Sequence, residues 1–195
     1  MNRSLKALLV SAGALALGMT MPGGAVAQPY EREHYSWSDS HIEQEEHEDF
    51  CPDVEFEVLF TGEGDGFFQG VTHGDGLVYY ADHFRVTETY TNTENGKTLT
   101  FKRAMSFKDQ KIVDDGENLI ITFKGTGTTR TYGPDGRLLF VDAGQFVVQD
   151  LIDHAGTPGD PSDDEWQEFL GLLKEVGRTD TAERDFCADL NEFLG

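Results

Sequence analysis

Apolar and polar side chains alternate along much of the chain after residue 52. In "DVEFEVLF", residues 53–60, valine or phenylalanine occupies every second position, with glutamates between the first of them. A period of two is typical of a strand with one buried face. Similar segments follow, separated by glycine-containing turns. The pattern predicts a mainly β chain, folded as an antiparallel β-barrel or a strongly curled meander sheet.

Residues Thr87–Phe107 predict a hairpin, because Asn95-Gly96 is typical of a two-residue type I′ turn. This turn would place Glu88 directly opposite Arg103, on an otherwise apolar face. Two interpretations of the pair stay open: a structural ion pair at the rim of the sheet, or a polar pair inside a ligand cavity. The same face would carry Tyr90, Phe101 and Met105 as cavity walls.

A second turn at Pro134-Asp135-Gly136 predicts the pairing of the next two strands. Its register would place Phe123 opposite Val147 and Gly127 opposite Ala143. Small residues at such positions permit sharp bending or leave space inside. Both outcomes fit a sheet that closes on itself.

The strand around residues 138–152 is apolar on both faces, so it requires cover on both sides. The C-terminal region is the expected cover. Residues 166–176 have apolar side chains at helical spacing, although Gly171 weakens a helix and a closing strand is the alternative. The segment "TAERDFCADLNEFLG" predicts a final helix that carries Cys187.

The glycine-rich segment Thr61–Gly76 predicts turns, with a mobile lid as an alternative. It lacks the spacing and the lysine of a phosphate-binding loop. Its carboxylates would also repel phosphate. We therefore expect no nucleotide site in this segment.

The first 50 residues differ from the rest in composition. Residues 1–27 have a basic start, an apolar middle and a small-residue cleavage motif, as in a signal peptide, which predicts a secreted or extracytoplasmic protein. Residues 28–50 are acidic and poor in apolar side chains, which predicts a flexible arm. Residues 51–195 are expected to form one barrel-like domain.

Acidic residues dominate the chain, which has a net charge of −21. Such a surface repels nucleic acid and anionic lipid. No apolar segment is long enough for a membrane span. A basic protein could bind the acidic arm, and a small apolar ligand could bind inside the barrel.

The two cysteines, Cys51 and Cys187, are expected to form a disulfide in an oxidising compartment. The arm carries His34, His41 and His47 among carboxylates. This mixture could bind Zn or Cu weakly, but a solvated tail is the favoured interpretation and the spacing matches no closed metal site. The sequence therefore predicts no metal and no cofactor.

No catalytic motif is present in the sequence. Asp153 beside His154 resembles a base with its orienting carboxylate, but neighbours along a strand point to opposite faces. The catalytic residues stay unknown, and the sequence favours a protein without enzyme activity.

The exported chain, the successive hairpins and the glycine-punctuated sheet over residues 53–152 resemble the small antiparallel barrels of the calycin and allene oxide cyclase–dirigent type. They also resemble uncharacterised exported bacterial proteins that end in a cysteine-bearing helix. The G-x-W signature of lipocalins is missing from the first strand. The resemblance implies a barrel but transfers no catalytic residue.

The leading hypothesis is therefore a secreted barrel that binds a small apolar or amphipathic ligand without catalysis. Glu88 and Arg103 would be its polar contacts. One alternative is an enzyme of the cyclase or isomerase kind. The other is a secreted acidic interaction module with a packed interior.

Overall fold

The computed structural model describes residues 28–195 as one seven-stranded antiparallel sheet, in which each strand pairs with the next along the chain. The predicted signal peptide, residues 1–27, lies outside the described residues. The mainly β prediction is confirmed. The strands are β1 (Gln28–Ile42), β2 (Val58–Thr72), β3 (Val78–Asn92), β4 (Thr98–Asp114), β5 (Asn118–Tyr132), β6 (Leu138–Asp153) and β7 (Glu165–Thr179). Two short helices, α1 (Glu43–Glu46) and α2 (Phe186–Leu194), and a 3₁₀ turn (Pro161–Asp163) complete the described elements.

The turns follow a regular spacing that the sequence analysis did not detect. Glycines with positive φ lie at positions 76, 96, 116, 136 and 156, one every 20 residues. Glycine adopts this conformation without steric penalty, so each of these turns has the residue that it requires. As a result the strands have nearly the same length, 15 to 17 residues.

The prediction of a closed barrel is wrong for the described residues. β1 pairs only with β2, and β7 pairs only with β6, so the sheet is open between its first and last strands. The β6–β7 loop reaches β1, because Tyr30 Oη in β1 donates a hydrogen bond to Asp160 Oδ1 in this loop, at 3.2 Å.

The β3–β4 register differs by two residues from the predicted one. The Asn92 N–H donates to the Lys97 carbonyl at 3.0 Å, so the loop has four residues, not two. Glu88 consequently lies opposite Phe101. A shift of two residues keeps every side chain on its predicted face, which is why the predicted apolar face is correct although the partners are not.

The β5–β6 register differs by one residue. Tyr132 pairs with Leu138 as predicted, but a bulge follows between Thr131 and Tyr132. Beyond it Phe123 pairs with Val148, not Val147. Gly127 pairs with Gly144, not Ala143. One extra residue reverses the faces of the whole strand, and the turn sequence alone does not reveal such a bulge.

The segment predicted to be a flexible arm contributes β1, and the segment predicted to be a glycine-rich loop is β2. Trp37 pairs with Gly64, and Tyr35 pairs with Gly66. A Cβ atom at Gly64 would lie 2.6 Å from Trp37 Nε1, and one at Gly66 would lie 2.3 Å from the Tyr35 ring. The glycines therefore leave room for the aromatic rings to lie flat across the strand, which stabilises β1 despite its acidic composition.

The C-terminal prediction is correct for α2 and wrong for residues 166–176. α2 forms as expected, and the Asp185 side chain accepts a hydrogen bond from the Ala188 N–H at its start. Residues 166–176 form part of β7, the alternative to the favoured helix. Among residues 28–195, no helix is both long and apolar enough to cross a membrane.

The larger core cluster lies where α2 packs against the sheet. The Asn92 side chain donates to the Leu194 carbonyl at 3.0 Å, and the expected Cys51–Cys187 disulfide joins α2 to the segment before β2. A smaller cluster of Leu77, Ile112 and Leu119 lies at the other end of the strands. The buried members of the larger cluster are Cys51, Val54, Val58, Leu99, Leu190 and Leu194.

Candidate functional site

The sheet has one face rich in aromatic side chains and one face rich in threonine and charged residues. We call the first the aromatic face and define it by Phe84, Phe107, Phe123 and Phe146, which the register places on the same side. Their ring centroids lie 5.7 to 6.5 Å apart between neighbours. In the described residues, the ring contacts of these four side chains are with one another.

The edge strand β7 carries large apolar side chains that are exposed. Their exposed fractions range from 43% to 62%, values that are unusual for a run of large apolar residues in one strand. β7 has no strand partner on its outer side among residues 28–195. We call this outer side, with its side chains, the β7 edge. The six side chains are Trp166, Phe169, Leu170, Leu172, Leu173 and Val176.

Bulges explain how an apolar pattern with helical spacing fits a strand. The β6–β7 register shifts three times, so β7 gains an extra residue at each shift. As a result Trp166, Phe169 and Leu172, which are three residues apart, all pair with residues of the aromatic face. The aromatic face thus continues onto β7, up to the open edge of the sheet.

A small cleft lies where the aromatic face meets β7. The residues that line it include Met105, Gly127, Gly144, Phe146 and Val176. Its volume is about 120 Å³, and it is open to solvent. Sites for drug-sized ligands are typically about 300 to 1,000 Å³, so this cleft alone accommodates only a small group.

The predicted ligand-binding residues share the aromatic face, but they do not line an enclosed cavity. Arg103 Nη2 lies 3.0 Å from Glu88 Oε2, and the Arg103 side chain is 41% exposed. Tyr90 and Phe101 pack on Phe186 of α2, with centroid distances of 5.0 and 6.1 Å. Burial, and secondarily the nearby Glu88 carboxylate, raises the pKa of Tyr90 to about 12. These two rings belong to the packing under the helix.

Met105, the remaining predicted ligand contact, lies against Gly127 of β5. A Cβ atom at that glycine would lie 2.4 Å from Met105 Sδ and 2.5 Å from the Ala104 carbonyl oxygen. Met105 therefore occupies the space that the missing side chain leaves. It is the one predicted contact that lies in the cleft.

The Asp153–His154 pair suggested by the sequence does not form. Asp153 accepts a hydrogen bond from the Ala155 N–H and so shapes the turn. His154 is buried, and its Nδ1 accepts from the Gly156 N–H at 3.2 Å. Its Nε2 lies 3.6 Å from Asp114 Oδ1. The role of His154 in the described structure is to hold two turns together.

Two acidic side chains that are not among the predicted site residues have raised pKa values. Burial raises the pKa of Asp109 to about 6, against the opposing effect of a 2.7 Å hydrogen bond from the Tyr80 N–H. Burial first, and then the neighbouring Asp163, raises the pKa of Asp164 to about 6. Both groups lie near the end of the sheet that the β6–β7 loop covers. No sequence motif marks either one.

Metal-ligating side chains converge at the junction of β1 and α1. One nitrogen or oxygen atom from each of His41, Glu43 and His47 lies within 4.8 Å of the others. From the sequence, both histidines could bind Zn or Cu weakly, but their spacing matches no closed metal site, so no metal site is predicted there. The three side chains come together only because β1 is followed directly by α1, and the sequence did not reveal this local fold.

Comparison with family models, curated proteins and solved structures finds no match to this chain.

Proposed function

We propose that this protein is an interaction module that associates with a second copy of itself through the β7 edge. The observation that carries the proposal is the row of exposed apolar side chains on β7, whose outer edge has no strand partner among residues 28–195. Natural sheets usually protect their edges with charges, prolines or short strands. Burial of one such side chain is worth about 1.5 to 3 kcal/mol, so an exposed row of them favours association.

The sequence of β7 supports a second copy as the partner. In an antiparallel pair centred on Gly171, Glu168 of each copy would lie opposite Lys174 of the other. The same arrangement would place Phe169 opposite Leu173. Apolar side chains thus meet apolar ones and opposite charges meet, as a two-fold symmetric interface requires.

Bulges and charge both limit this association. The bulges in β7 increase its twist, so we expect side-chain packing to contribute more than a regular hydrogen-bonded ladder. Each copy has a net charge of −21, so the copies repel each other at low ionic strength. Added salt screens that repulsion and should strengthen the pair.

Analytical ultracentrifugation of the purified protein tests the proposal. We expect a dimer in which Phe169→Lys or Leu173→Lys weakens association at least tenfold, which is about 1.4 kcal/mol. Leu138→Lys is the matched control, because Leu138 is 51% exposed but lies outside β7. A wild-type protein that stays monomeric at high micromolar concentration and high salt would contradict the proposal.

A charge exchange tests the identity of the partner. Glu168→Lys and Lys174→Glu should each weaken the dimer, because each creates a like-charge pair at two symmetric positions. The double variant should restore it. Restoration is expected only if the two positions meet across a two-fold axis. If the dimer forms but the double variant is as weak as the single ones, the pairing centred on Gly171 is wrong.

The second candidate is binding of a small apolar or amphipathic ligand on the aromatic face. The observation that favours it is the set of four phenylalanine rings on this face, whose ring contacts in the described residues are with one another. Native mass spectrometry of protein from its natural source tests it. A bound small molecule that is lost in Phe107→Ala would support the candidate, and protein without a ligand would contradict it. The cyclase or isomerase hypothesis stays a prediction from the resemblance.

A further inference from the structure

We propose that His41, Glu43 and His47 form a binding site for a divalent transition-metal ion, with Zn²⁺ as the expected ligand. The proposal concerns the β1 side of the sheet and does not depend on association through β7. Two imidazoles and one carboxylate are a ligand set that Zn²⁺ uses in proteins, with a fourth position left for water.

Two local geometries bring these side chains together. β1 ends at Ile42, and α1 begins at Glu43. Asp39 and His41 are two residues apart in β1, so they lie on the same face of the strand. Glu43 and His47 are four residues apart across α1, so their side chains also meet.

The distances suit one metal ion between three ligands. His47 Nδ1 lies 2.9 Å from Glu43 Oε2, and His41 Nε2 lies 3.8 Å from the same oxygen. In a tetrahedral Zn²⁺ site with bonds of about 2.0 to 2.1 Å, the ligand atoms are about 3.3 to 3.4 Å apart. The two measured distances lie on either side of that value, so small rotations of the side chains would bring them to it. To bind the metal through Nδ1, the neutral His47 ring would carry its hydrogen on Nε2.

Asp39 prepares His41 as a ligand. Asp39 Oδ2 lies 3.1 Å from His41 Nδ1. A carboxylate can only accept a hydrogen bond, so Nδ1 carries the hydrogen. In the neutral ring the lone pair is then on Nε2, which is buried and has no hydrogen-bond partner in the described residues. A carboxylate that orients a histidine in this way is common around protein-bound zinc.

The surroundings hold the site in place but leave it accessible. The Glu43 side chain is only 7% exposed, and the His41 ring packs on Phe60 at 4.9 Å. Gln44 fixes α1 to the chain before β2, because its amide donates to the Phe56 carbonyl and accepts from the Val58 N–H. The His47 side chain is 58% exposed, which gives a metal ion a route from solvent.

The competing explanation is a charge network without a metal, in which protonated His41 lies between Asp39 and Glu43. Metal binding replaces ligand protons, so a titration separates the two explanations. Isothermal titration of the metal-stripped full chain with Zn²⁺, at near-physiological ionic strength, should show one site with a micromolar or tighter dissociation constant. Co²⁺ should give the visible absorption of a tetrahedral site. A charge network alone would show neither.

Variants locate the site. His47→Gln, whose position is exposed, should weaken Zn²⁺ binding at least tenfold, and Glu43→Gln should do the same. Asp39→Asn should weaken it about 10- to 100-fold through the orientation of His41. His34→Gln is the matched control, because it removes an imidazole from the same strand on the opposite face, where it packs on Phe67. Far-ultraviolet circular dichroism confirms that each variant is folded.

Three outcomes would overturn the proposal: no Zn²⁺ binding, unchanged binding in His47→Gln, or equal losses in His47→Gln and His34→Gln. The last two would indicate diffuse adsorption on the acidic surface. Ca²⁺ serves as a second control, because a hard cation adsorbs to carboxylates but does not prefer imidazole. The titration is repeated in Leu173→Lys, so that failure of the proposed dimer and failure of the metal site are distinguished.

Discussion

Arg103 Nη2 lies 3.0 Å from Glu88 Oε2, although the two residues are not opposite each other in the β3–β4 ladder. The Glu88 oxygen is buried but receives no well-directed hydrogen bond. The Arg103 side chain is 41% exposed, so water screens part of the attraction between the two charges.

A double-mutant cycle with Glu88→Gln and Arg103→Gln therefore predicts a coupling of at most about 1 kcal/mol in the free energy of unfolding. Urea denaturation of the four proteins measures it. A coupling above about 3 kcal/mol would indicate a pair enclosed in a dry cavity and would contradict the rim interpretation.

The raised pKa of Asp109 predicts that its contribution to the free energy of unfolding falls as the pH rises. In the unfolded chain its pKa is about 3.9, whereas in the folded chain it is about 6. Between these values the folded protein binds more protons, so the contribution of this group to the free energy of unfolding decreases as pH rises. It is fully present below about pH 4 and is lost as pH passes 6.

Asp109→Asn should consequently stabilise the protein at pH 7.5 by up to about 2 kcal/mol, since an amide needs no charge and can still accept from the Tyr80 N–H. The gain should vanish near pH 4. Urea denaturation at a series of pH values measures both. Asp65→Asn, which removes an exposed carboxylate, controls for general relief of charge repulsion. Equal effects of the two variants would show that Asp109 has no special environment.

Substitution of Gly64 tests whether the pairing of β1 with β2 depends on the space that this glycine leaves for Trp37. Gly64→Val would collide with Trp37, so we expect a loss of about 1 to 3 kcal/mol in unfolding free energy and release of β1 from the sheet. Amide hydrogen exchange should then accelerate in residues 28–42. Gly74→Val is the control, because a Cβ atom there meets nothing within 4 Å. Rapid exchange of residues 28–42 in the wild-type protein would favour the flexible arm.

The Cys51–Cys187 disulfide is expected to contribute strongly to the free energy of unfolding. It closes a loop between residues 136 positions apart, which corresponds to about 5 kcal/mol in the chain-entropy model. The double variant Cys51→Ser with Cys187→Ser should lower the free energy of unfolding by about 4 to 5 kcal/mol. Denaturation under non-reducing conditions measures the difference. A loss below about 1 kcal/mol would mean that packing of α2 suffices to hold the C-terminus.

The strand pattern could be predicted from the sequence because a period of two depends only on local alternation. The pairing partners of the strands were harder to predict from the sequence. At Asn95-Gly96 the loop takes two more residues than the dipeptide suggests, whereas the bulge near Thr131 shifts the register by one. The first error preserves the faces and the second reverses them. Neither the length of a hairpin loop nor the position of a bulge can be identified uniquely from a short sequence.

The candidate sites depend on tertiary context that local sequence does not contain. Composition alone makes residues 28–50 resemble a disordered arm, because the glycines that accommodate their aromatic rings lie in another strand. Residues 166–176 have the spacing of a helix, and only the bulges against β6 make that spacing compatible with a strand. The metal-ligating group arises where these two kinds of local geometry, strand and helix, adjoin.

The 20-residue interval between the turn glycines gives the sheet a modular construction. Because every hairpin unit occupies the same length, the removal of β4 and β5 with their two turns would bring β3 next to β6 with the same chain direction as β4 has now. The number of strands in the sheet could thus increase or decrease by two without a change in the directions of the remaining strands. A shortened or lengthened version would keep its C-terminal helix beside a strand of the same length.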